Sequence, residues 1–126
     1  MPRYLLDSDV IIWCLRGERG MLDLAEGLRR EGELACSVAS VFEVEAGKRA
    51  GEEEMVEAFF GGLRKYDVDE EVARLGGEWQ REFRWRGVTL DDMDVLIGAT
   101  AAVNGLVVVT LNPRHYPMEG VEVYGR

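Results

Sequence analysis

The clearest pattern of hydrophobic and polar positions is an uncharged stretch followed by a run of β-branched residues. No charged residue occurs between Val95 and Asn104, and the small residues of this stretch predict a slim helix that lies close to a sheet. Asn104 followed by Gly105 is a pair that commonly ends a helix. Val107–Val109 is a continuous apolar run, which is typical of a strand covered on both faces. A buried helix that leads into a buried strand is half of a parallel α/β unit.

Other apolar segments predict further short strands and amphipathic helices. Strands are predicted near residues 4–6, 34–36, 107–111 and 121–124, and residues 66–68 form either a strand or an extended link. Helices are predicted over residues 10–16, 21–31, 38–50, 52–63 and 70–85, with Gly17 and Gly20 separating the first two. This alternation predicts an α/β fold, a three-layer α/β/α sandwich with a central parallel sheet of four or five short strands, and residues 1–126 as a single domain.

The composition excludes several classes of protein. The chain has 126 residues, of which 47% are hydrophobic and 31% are charged. No apolar run approaches the roughly 20 residues of a membrane span, and the early Asp7 argues against a secretory signal. The single histidine, His115, excludes zinc sites built from several histidines. Cys14 and Cys36 lack metal-binding spacing and are expected to be buried free thiols of a cytoplasmic protein.

The net charge of −9 argues against non-specific binding of nucleic acid through a basic surface. It leaves room for a nucleic-acid substrate if the excess negative charge is gathered where cations bind. Eight arginines are candidates either for local phosphate contacts or for ordinary surface positions. They are Arg16, Arg19, Arg29, Arg30, Arg81, Arg84, Arg86 and Arg114.

Four oxygen-bearing side chains are expected at the carboxyl edge of the sheet, where the strands end and ligands of such sheets bind. Asp7 follows the first strand, Asn112 ends the strand near 107–111, and Asp94 lies in the first turn of the helix that feeds it. Glu43 lies about six residues, or ~9 Å, into the helix after the second strand. Each alone has an ordinary explanation as a cap, turn or surface residue. Together they require a cation, because close carboxylates repel each other, and Mg²⁺ or Mn²⁺ prefers oxygen ligands.

Four segments resemble, in order and spacing, the motifs of the PIN-domain family. They are residues 5–12, with Asp7-Ser8-Asp9; residues 37–44, with a hydroxyl residue three positions before Glu43; residues 90–102, with Asp94 in a helix of small residues; and residues 110–116, Thr-Leu-Asn-Pro-Arg-His-Tyr. Within the family, the size and motifs are most similar to VapC, the toxin of VapBC toxin–antitoxin pairs. The resemblance implies an Mg²⁺- or Mn²⁺-dependent endoribonuclease that hydrolyses RNA phosphodiesters.

The resemblance also implies roles for individual residues. Asp7, Glu43 and Asp94 correspond to the catalytic, metal-binding acids, and Asn112 falls where many relatives carry a fourth acid. An amide binds a metal ion more weakly than a carboxylate, which leaves open whether the site holds one ion or two. The residues expected to support these ligands are Ser8, Ser40, Asp92, Thr110 and His115.

Three kinds of partner are implied by the same resemblance. They are an RNA substrate, a VapB-type antitoxin and a second copy of the chain in a homodimer, with no membrane involved. The antitoxin is expected to lay an apolar helix across Trp13, Leu15 and their neighbours and to direct a basic side chain at the acids.

Other interpretations remain open at the level of sequence. Asp7 and Asp9 form the Asp-x-Asp opening of a haloacid-dehalogenase-like phosphatase, which also needs a lysine near the site. The only lysines, Lys48 and Lys65, are not expected at the carboxyl edge. A response-regulator receiver needs a lone acceptor Asp after a middle strand and a Lys after a late one, and this pattern is missing. The amide of Asn112 also fits a PIN domain of weak catalytic activity that acts as a binding module.

Overall fold

A parallel sheet of five short strands forms the centre of the structure, a computed structural model that describes residues 1–126. The strands are β1 (Arg3–Leu6), β2 (Glu33–Ser37), β3 (Arg64–Tyr66), β4 (Val107–Val109) and β5 (Glu122–Val123). They lie side by side in the order β3-β2-β1-β4-β5, and every pairing is parallel. The first strand of the chain is therefore the central strand, and the carboxyl ends of all five strands lie at one edge.

Six α-helices and a short 3-10 turn connect the strands. The helices are α1 (Ser8–Leu15), α2 (Arg19–Glu31), α3 (Val38–Gly47), α4 (Glu53–Gly61), α5 (Glu70–Trp85) and α6 (Asp92–Asn104). The 3-10 turn, Pro113–His115, follows β4. None of these helices combines the length and the apolar character that a membrane crossing requires.

The sheet separates two hydrophobic cores. Because successive side chains of a strand point to opposite faces, Leu5 and Val108 pack with α5 and α6 on one face. Leu6 and Val109 pack on the other face, mainly with α1, α2, α3 and α4. Both cysteines are buried and form no disulfide bond, as expected. The predicted three-layer α/β/α sandwich with a central parallel sheet is confirmed.

Helix α6 has the slim face that its sequence predicts, and this face makes room for an aromatic ring. A Cβ atom at Gly98 would lie 2.9 Å from Met118 Cε and 3.3 Å from the ring of Tyr116. A side chain at position 98 would displace the end of Met118 and crowd the Tyr116 ring. The helix stops at Gly105, whose φ of +67° is in the left-handed region that favours glycine.

Several helix boundaries differ from the prediction by one to three residues, including those of α2 and α3. Helix α2 begins at Arg19, because the Glu18 carboxylate accepts the backbone N–H groups of Gly20 and Met21 and caps the first turn. Gly20 thus lies inside the helix, and only the glycine at position 17, with a φ of +77°, separates α1 from α2. Helix α3 ends at residue 47 rather than at residue 50.

The strand ends also differ from the prediction. Strand β4 stops at Val109 rather than at residue 111, because Thr110 turns out of the ladder and donates its hydroxyl to the Asp7 carboxylate. The segment that was expected near residues 66–68 is a strand, but it covers Arg64–Tyr66 and pairs with β2. Strand β5 falls within the predicted segment 121–124 and lies at the edge of the sheet.

Candidate active site

Asp7 lies at the carboxyl end of the central strand and is almost completely buried. It caps α1, and its carboxylate accepts the Ser8 backbone N–H at 2.7 Å and the Thr110 hydroxyl at 2.8 Å. Only 4% of the residue is exposed. Burial, and then the charge of the neighbouring Asp9, raise the pKa of Asp7. The carboxylate is therefore held in a defined orientation, but its charge is disfavoured.

Two serines connect the Asp7 segment to Glu43 on α3. The Ser8 hydroxyl donates to Glu43 Oε1 at 2.6 Å, and it lies 2.9 Å from the hydroxyl of Ser40. Both serines are buried, whereas Glu43 is partly buried. Because a hydroxyl has one proton, the donation to Glu43 leaves Ser40 to donate to Ser8. These two hydrogen bonds thus position the Glu43 carboxylate beside the start of α1.

Asp94 lies in the first turn of α6, on a third side of the same space. Its Oδ2 atom is 3.3 Å from Nδ1 of His115, and its backbone N–H is capped by Asp91. Burial, followed by the charges of Asp7 and Asp91 and a smaller effect of Glu43, raises the pKa of Asp94 to about 6, and His115 opposes this rise. Asp94 therefore lies close enough to Asp7 and Glu43 for their charges to disfavour its own.

Asp9 has a structural role that the sequence reasoning missed. Its Oδ2 atom accepts the Leu111 backbone N–H and the Asn112 side-chain N–H, both at 3.0 Å. It also lies 3.3 Å from the Thr110 hydroxyl, whose one proton goes to the nearer Asp7. The amide nitrogen of Asn112 is therefore bound to Asp9. The sequence held a signal for this contact, namely an acid two residues after Asp7 and an amide just beyond the predicted strand.

Tyr116 is the second residue that the sequence reasoning missed. It is fully buried, and its hydroxyl has no hydrogen-bond partner. The hydroxyl lies near Asp7 and opposes the rise in the Asp7 pKa, but it makes no hydrogen bond. Burial, followed by the charges of Asp7 and Asp94, raises the pKa of Tyr116. An aromatic residue near the end of the chain predicts burial, but not where its hydroxyl points.

Asp92 is the one predicted supporting residue that lies apart from the acids. Its Oδ1 atom accepts the Gln80 side-chain N–H at 2.8 Å, and Gln80 also donates to the Leu90 carbonyl. Asp92 thus attaches the start of α6 to α5. Thr110 and His115, by contrast, contact Asp7 and Asp94 directly.

The three acids form a donor set whose chemistry fits a hard divalent cation. Carboxylate oxygens are the ligands that such ions prefer, and the raised pKa values of Asp7 and Asp94 reflect a repulsion that a cation would relieve. The side chains are not drawn together as a ready coordination group of three His, Cys, Asp or Glu residues. Each carboxylate is instead turned toward the protein donors described above, which a bound ion would have to replace in part.

Neither lysine contacts the Asp-x-Asp pair that a phosphatase would use. Lys48 pairs with Glu45 at 2.8 Å, and Lys65 donates to the carbonyl of Phe60 at 2.8 Å. Asp9, which would be the acid of that mechanism, accepts two N–H hydrogen bonds from the segment after β4. The arrangement therefore lacks the lysine that this alternative needs.

Comparison with known proteins gives a family match over most of the chain. Residues 4–120 match the family described as the PIN domain. Ribonuclease VapC19 of Mycobacterium tuberculosis is 39% identical over 115 residues, which cover 90% of this chain and 92% of VapC19. The structure of DNA-bound VapBC from Salmonella typhimurium matches with a TM-score of 0.84 and 25% identity, over 98% of this chain and 97% of the matched chain. VapBC2 from Rickettsia felis, bound to a promoter DNA fragment, has the same fold, with a TM-score of 0.85 at 19% identity over 96% of each chain.

Proposed function

This chain belongs to the PIN-domain family, and from that premise we propose that it is a metal-dependent endoribonuclease, the toxin of a toxin–antitoxin pair. The resemblance predicted from the four motifs is confirmed. PIN-domain ribonucleases depend on metal ions in general, and the relative VapC19 is named a ribonuclease. The observation that carries the proposal is the placement of three acids near the carboxyl edge of the sheet: Asp7 caps α1, Glu43 is held by Ser8 of that helix, and Asp94 lies in the first turn of α6. Burial, and then the charge of Asp7, raise the pKa of Asp94 to about 6.

The proposed ligands are the three acids, with Asn112 as a weaker fourth position. Mg²⁺ and Mn²⁺ are the candidate ions, because both prefer oxygen ligands and both serve in phosphoryl chemistry. A bound divalent ion would supply positive charge that polarises a phosphate oxygen and lowers the pKa of a bound water. The ligand assignment is supported by the hydrogen bonds of Ser8 to both Asp7 and Glu43 and by the effect of their charges on Asp94.

The residues around the ligands would orient them. Ser8 donates its backbone N–H to Asp7 and its hydroxyl to Glu43, so one residue holds both carboxylates. Thr110 holds the other oxygen of Asp7, and His115 lies against Asp94. Such supporting contacts fix the direction of ligand oxygens and are worth about 10- to 100-fold in metal affinity or activity.

A groove beside the acids suits the apolar segment of a VapB-type antitoxin. A cavity of about 210 Å³ lies between α1, α3 and α4, and its walls include Leu15, Met55 and Glu43. Trp13 is 42% exposed, and the Arg16 guanidinium lies over its ring. We propose that the antitoxin occupies this groove and directs a basic side chain toward Glu43. The homodimer stays a prediction.

The proposal is tested by cleavage of a labelled structured RNA with and without Mg²⁺ or Mn²⁺. We expect cleavage only with the ion, and Glu43→Gln and Asp94→Asn should lose at least about a hundredfold in rate. The control is Glu45→Gln, two residues from Glu43 on the same helix, whose carboxylate pairs with Lys48 away from the acids. It should retain the rate of the wild-type protein.

A direct measurement of ion binding separates a lost ligand from a misfolded variant. Mn²⁺ should raise the melting temperature of the wild-type protein and of Glu45→Gln, but not that of Asp94→Asn. Cleavage that needs no metal ion, or an Asp94→Asn variant with an unimpaired rate, would contradict the mechanism.

A further inference from the structure

The eight arginines that were candidates for phosphate contacts differ in what their side chains bind. Four of them bind a carboxylate or a carbonyl of the chain itself: Arg19, Arg29, Arg30 and Arg86. A fifth, Arg16, lies over the ring of Trp13. The other three, Arg81, Arg84 and Arg114, appear in no ion pair and in no side-chain hydrogen bond of the structure. These three guanidinium groups are available to an external anion.

Two of the three unpaired arginines surround an exposed tryptophan. Arg81, Arg84 and Trp85 line one shallow depression at the end of α5, and Trp85 is 85% exposed. Residues three and four apart on a helix are neighbours on its surface, which explains why Arg81 lies beside the other two. We call these three residues the arginine–tryptophan patch.

The patch lies close to the start of α6. Gln80, one helical turn before Arg84, binds both the Leu90 carbonyl and the Asp92 carboxylate. One turn of an α-helix rises about 5.4 Å. The patch therefore covers the turn of α5 that directly follows its attachment to the first turn of α6, the turn that carries Asp94.

The third unpaired arginine lines a cleft that ends at the proposed active site. This open cleft, about 550 Å³ in volume, lies between the loop at residues 88–91 and the segment at residues 114–117. Its walls include Arg114, His115 and Asp94. The cleft thus has an acidic inner wall, an arginine, and an outer side formed by the loop that follows Trp85.

We propose that single-stranded RNA runs from the three acids through this cleft and onto the arginine–tryptophan patch. Arg114, Arg81 and Arg84 bind phosphates of the strand, and Trp85 stacks on a base. Guanidinium groups bind phosphates through paired hydrogen bonds, and exposed aromatic rings stack with any base. The inference rests on the proposed function, since the acids are the place where the strand would be cut.

Two observations favour RNA over a protein partner at this surface. The cleft is continuous with Asp94, so a ligand that fills it reaches the acids. The chain has a net charge of −9, and most of its arginines are paired or lie against the protein. A polyanion would therefore be repelled by much of the surface and attracted where unpaired arginines meet an exposed ring.

The test is the salt dependence of RNA binding. Fluorescence anisotropy of a labelled single-stranded RNA is measured on the Glu43→Gln background, which does not cut the strand, at a series of salt concentrations. Log K falls as log salt rises, and for single strands each lost phosphate contact makes this slope less steep by about 0.7. The slope should therefore become less steep by about 1.4 in R81A/R84A and by about 0.7 in R114A. Trp85→Ala should weaken binding by about tenfold and leave the slope unchanged.

The matched controls are Arg74→Ala and Arg19→Ala. Both arginines are exposed and both pair with a carboxylate four residues away, and Arg74 lies on α5 itself. Their removal should change neither the affinity nor the slope. In the wild-type background the patch variants should raise the KM for RNA cleavage and leave kcat within about twofold, because they act on binding.

The possible outcomes distinguish a wrong path for the RNA strand from a wrong proposal that the protein is a nuclease. If the wild-type protein cuts RNA but R81A/R84A, R114A and Trp85→Ala retain its affinity and slope, the strand takes another path and the inference is wrong. If the wild-type protein neither binds nor cuts RNA, the proposed function fails as well. If Trp85→Ala instead changes the mass in sedimentation and leaves RNA affinity intact, the patch is an interface between copies, which also overturns the inference.

Discussion

The sheet carries a polar cluster at each end of its strands, and the two clusters are balanced in opposite ways. At the amino ends, the Tyr66 hydroxyl accepts from Arg3 at 3.1 Å and donates to Glu33 at 3.1 Å. Arg64 completes the cluster, since it approaches Glu33 at 3.5 Å and lies over the Tyr66 ring. Here positive and negative groups alternate, and the hydroxyl both donates and accepts.

At the carboxyl ends the cluster is almost entirely acidic. Asp7 and Asp94 have raised pKa values because they are buried and face other carboxylates, and only His115 opposes this effect on Asp94. The Tyr116 hydroxyl, which matches Tyr66 in type, has no partner. A fold gains nothing from such a cluster on its own, whereas a site that binds a cation requires it. The comparison teaches that a polar cluster with unbalanced charge indicates a functional site, whereas a cluster with balanced charge stabilises the fold.

The largest effect is expected on RNA cleavage when an acid at the carboxyl ends of the strands is replaced. Asp7→Asn should lower RNA cleavage by at least about a hundredfold, because the substitution removes a proposed ligand. The free energy of unfolding should fall little or rise, since a disfavoured buried charge is removed. Cleavage assays and urea denaturation of the same preparation measure both. A variant that cuts RNA normally, or that is unfolded, would contradict the comparison.

A smaller and opposite effect is expected at the balanced end. Tyr66→Phe removes the hydroxyl that joins Arg3 to Glu33, and it should lower the free energy of unfolding by about 1–2 kcal/mol. The rate of RNA cleavage per folded molecule should stay unchanged. Tyr124→Phe, at a tyrosine that is 44% exposed, is the control and should alter neither quantity.

A third effect concerns pH in the absence of metal ions. The pKa of Asp94 is about 6 in the folded protein and about 4 when unfolded, so the folded state favours the protonated form. The contribution of Asp94 to the free energy of unfolding is fully present below the unfolded pKa and is lost as the pH rises through 6. Compared with Asp94→Asn, the wild-type protein should therefore be less stable at pH 8, and the difference should shrink toward pH 5. Urea denaturation in a chelator at both pH values measures this, and a constant difference would count against it.

The smallest effect is expected at Tyr116. Tyr116→Phe removes a buried hydroxyl without a partner, so the free energy of unfolding should stay the same or rise by at most about 1 kcal/mol. The same substitution at Tyr66 should lower the free energy of unfolding, so one denaturation experiment should distinguish the two variants. A loss of stability at Tyr116 comparable to that at Tyr66 would show that its hydroxyl has a partner.

The positions of the acids along the fold were predictable because strand ends and helix starts are local properties. Asp7 follows an apolar strand, and Asp94 precedes a long uncharged helix, so parallel topology alone brings them to one edge. The contacts of Asp9 and Tyr116 were not predictable in this way. They depend on the directions of side chains after β4, where Thr110 leaves the ladder and the chain turns back over α6.

The prediction of the helix boundaries was wrong for a similar reason, because they also depend on side-chain contacts. Gly20 was expected to interrupt a helix, but the Glu18 carboxylate satisfies its N–H, so the helix tolerates it. The sequence also could not predict which arginines are paired and which are unpaired. An acid lies four residues from Arg19 and from Arg86, but Arg29, with Gly62 as its partner, shows that a distant carbonyl serves as well.

The central position of β1 has a consequence for a protein made on a ribosome. β1 is the first strand to be synthesised, and it pairs directly with β4, which follows about a hundred residues later. Asp7 gains its Thr110 contact only after that late segment has left the exit tunnel. The proposed active site therefore cannot assemble in a nascent chain until the segment after β4 has been made.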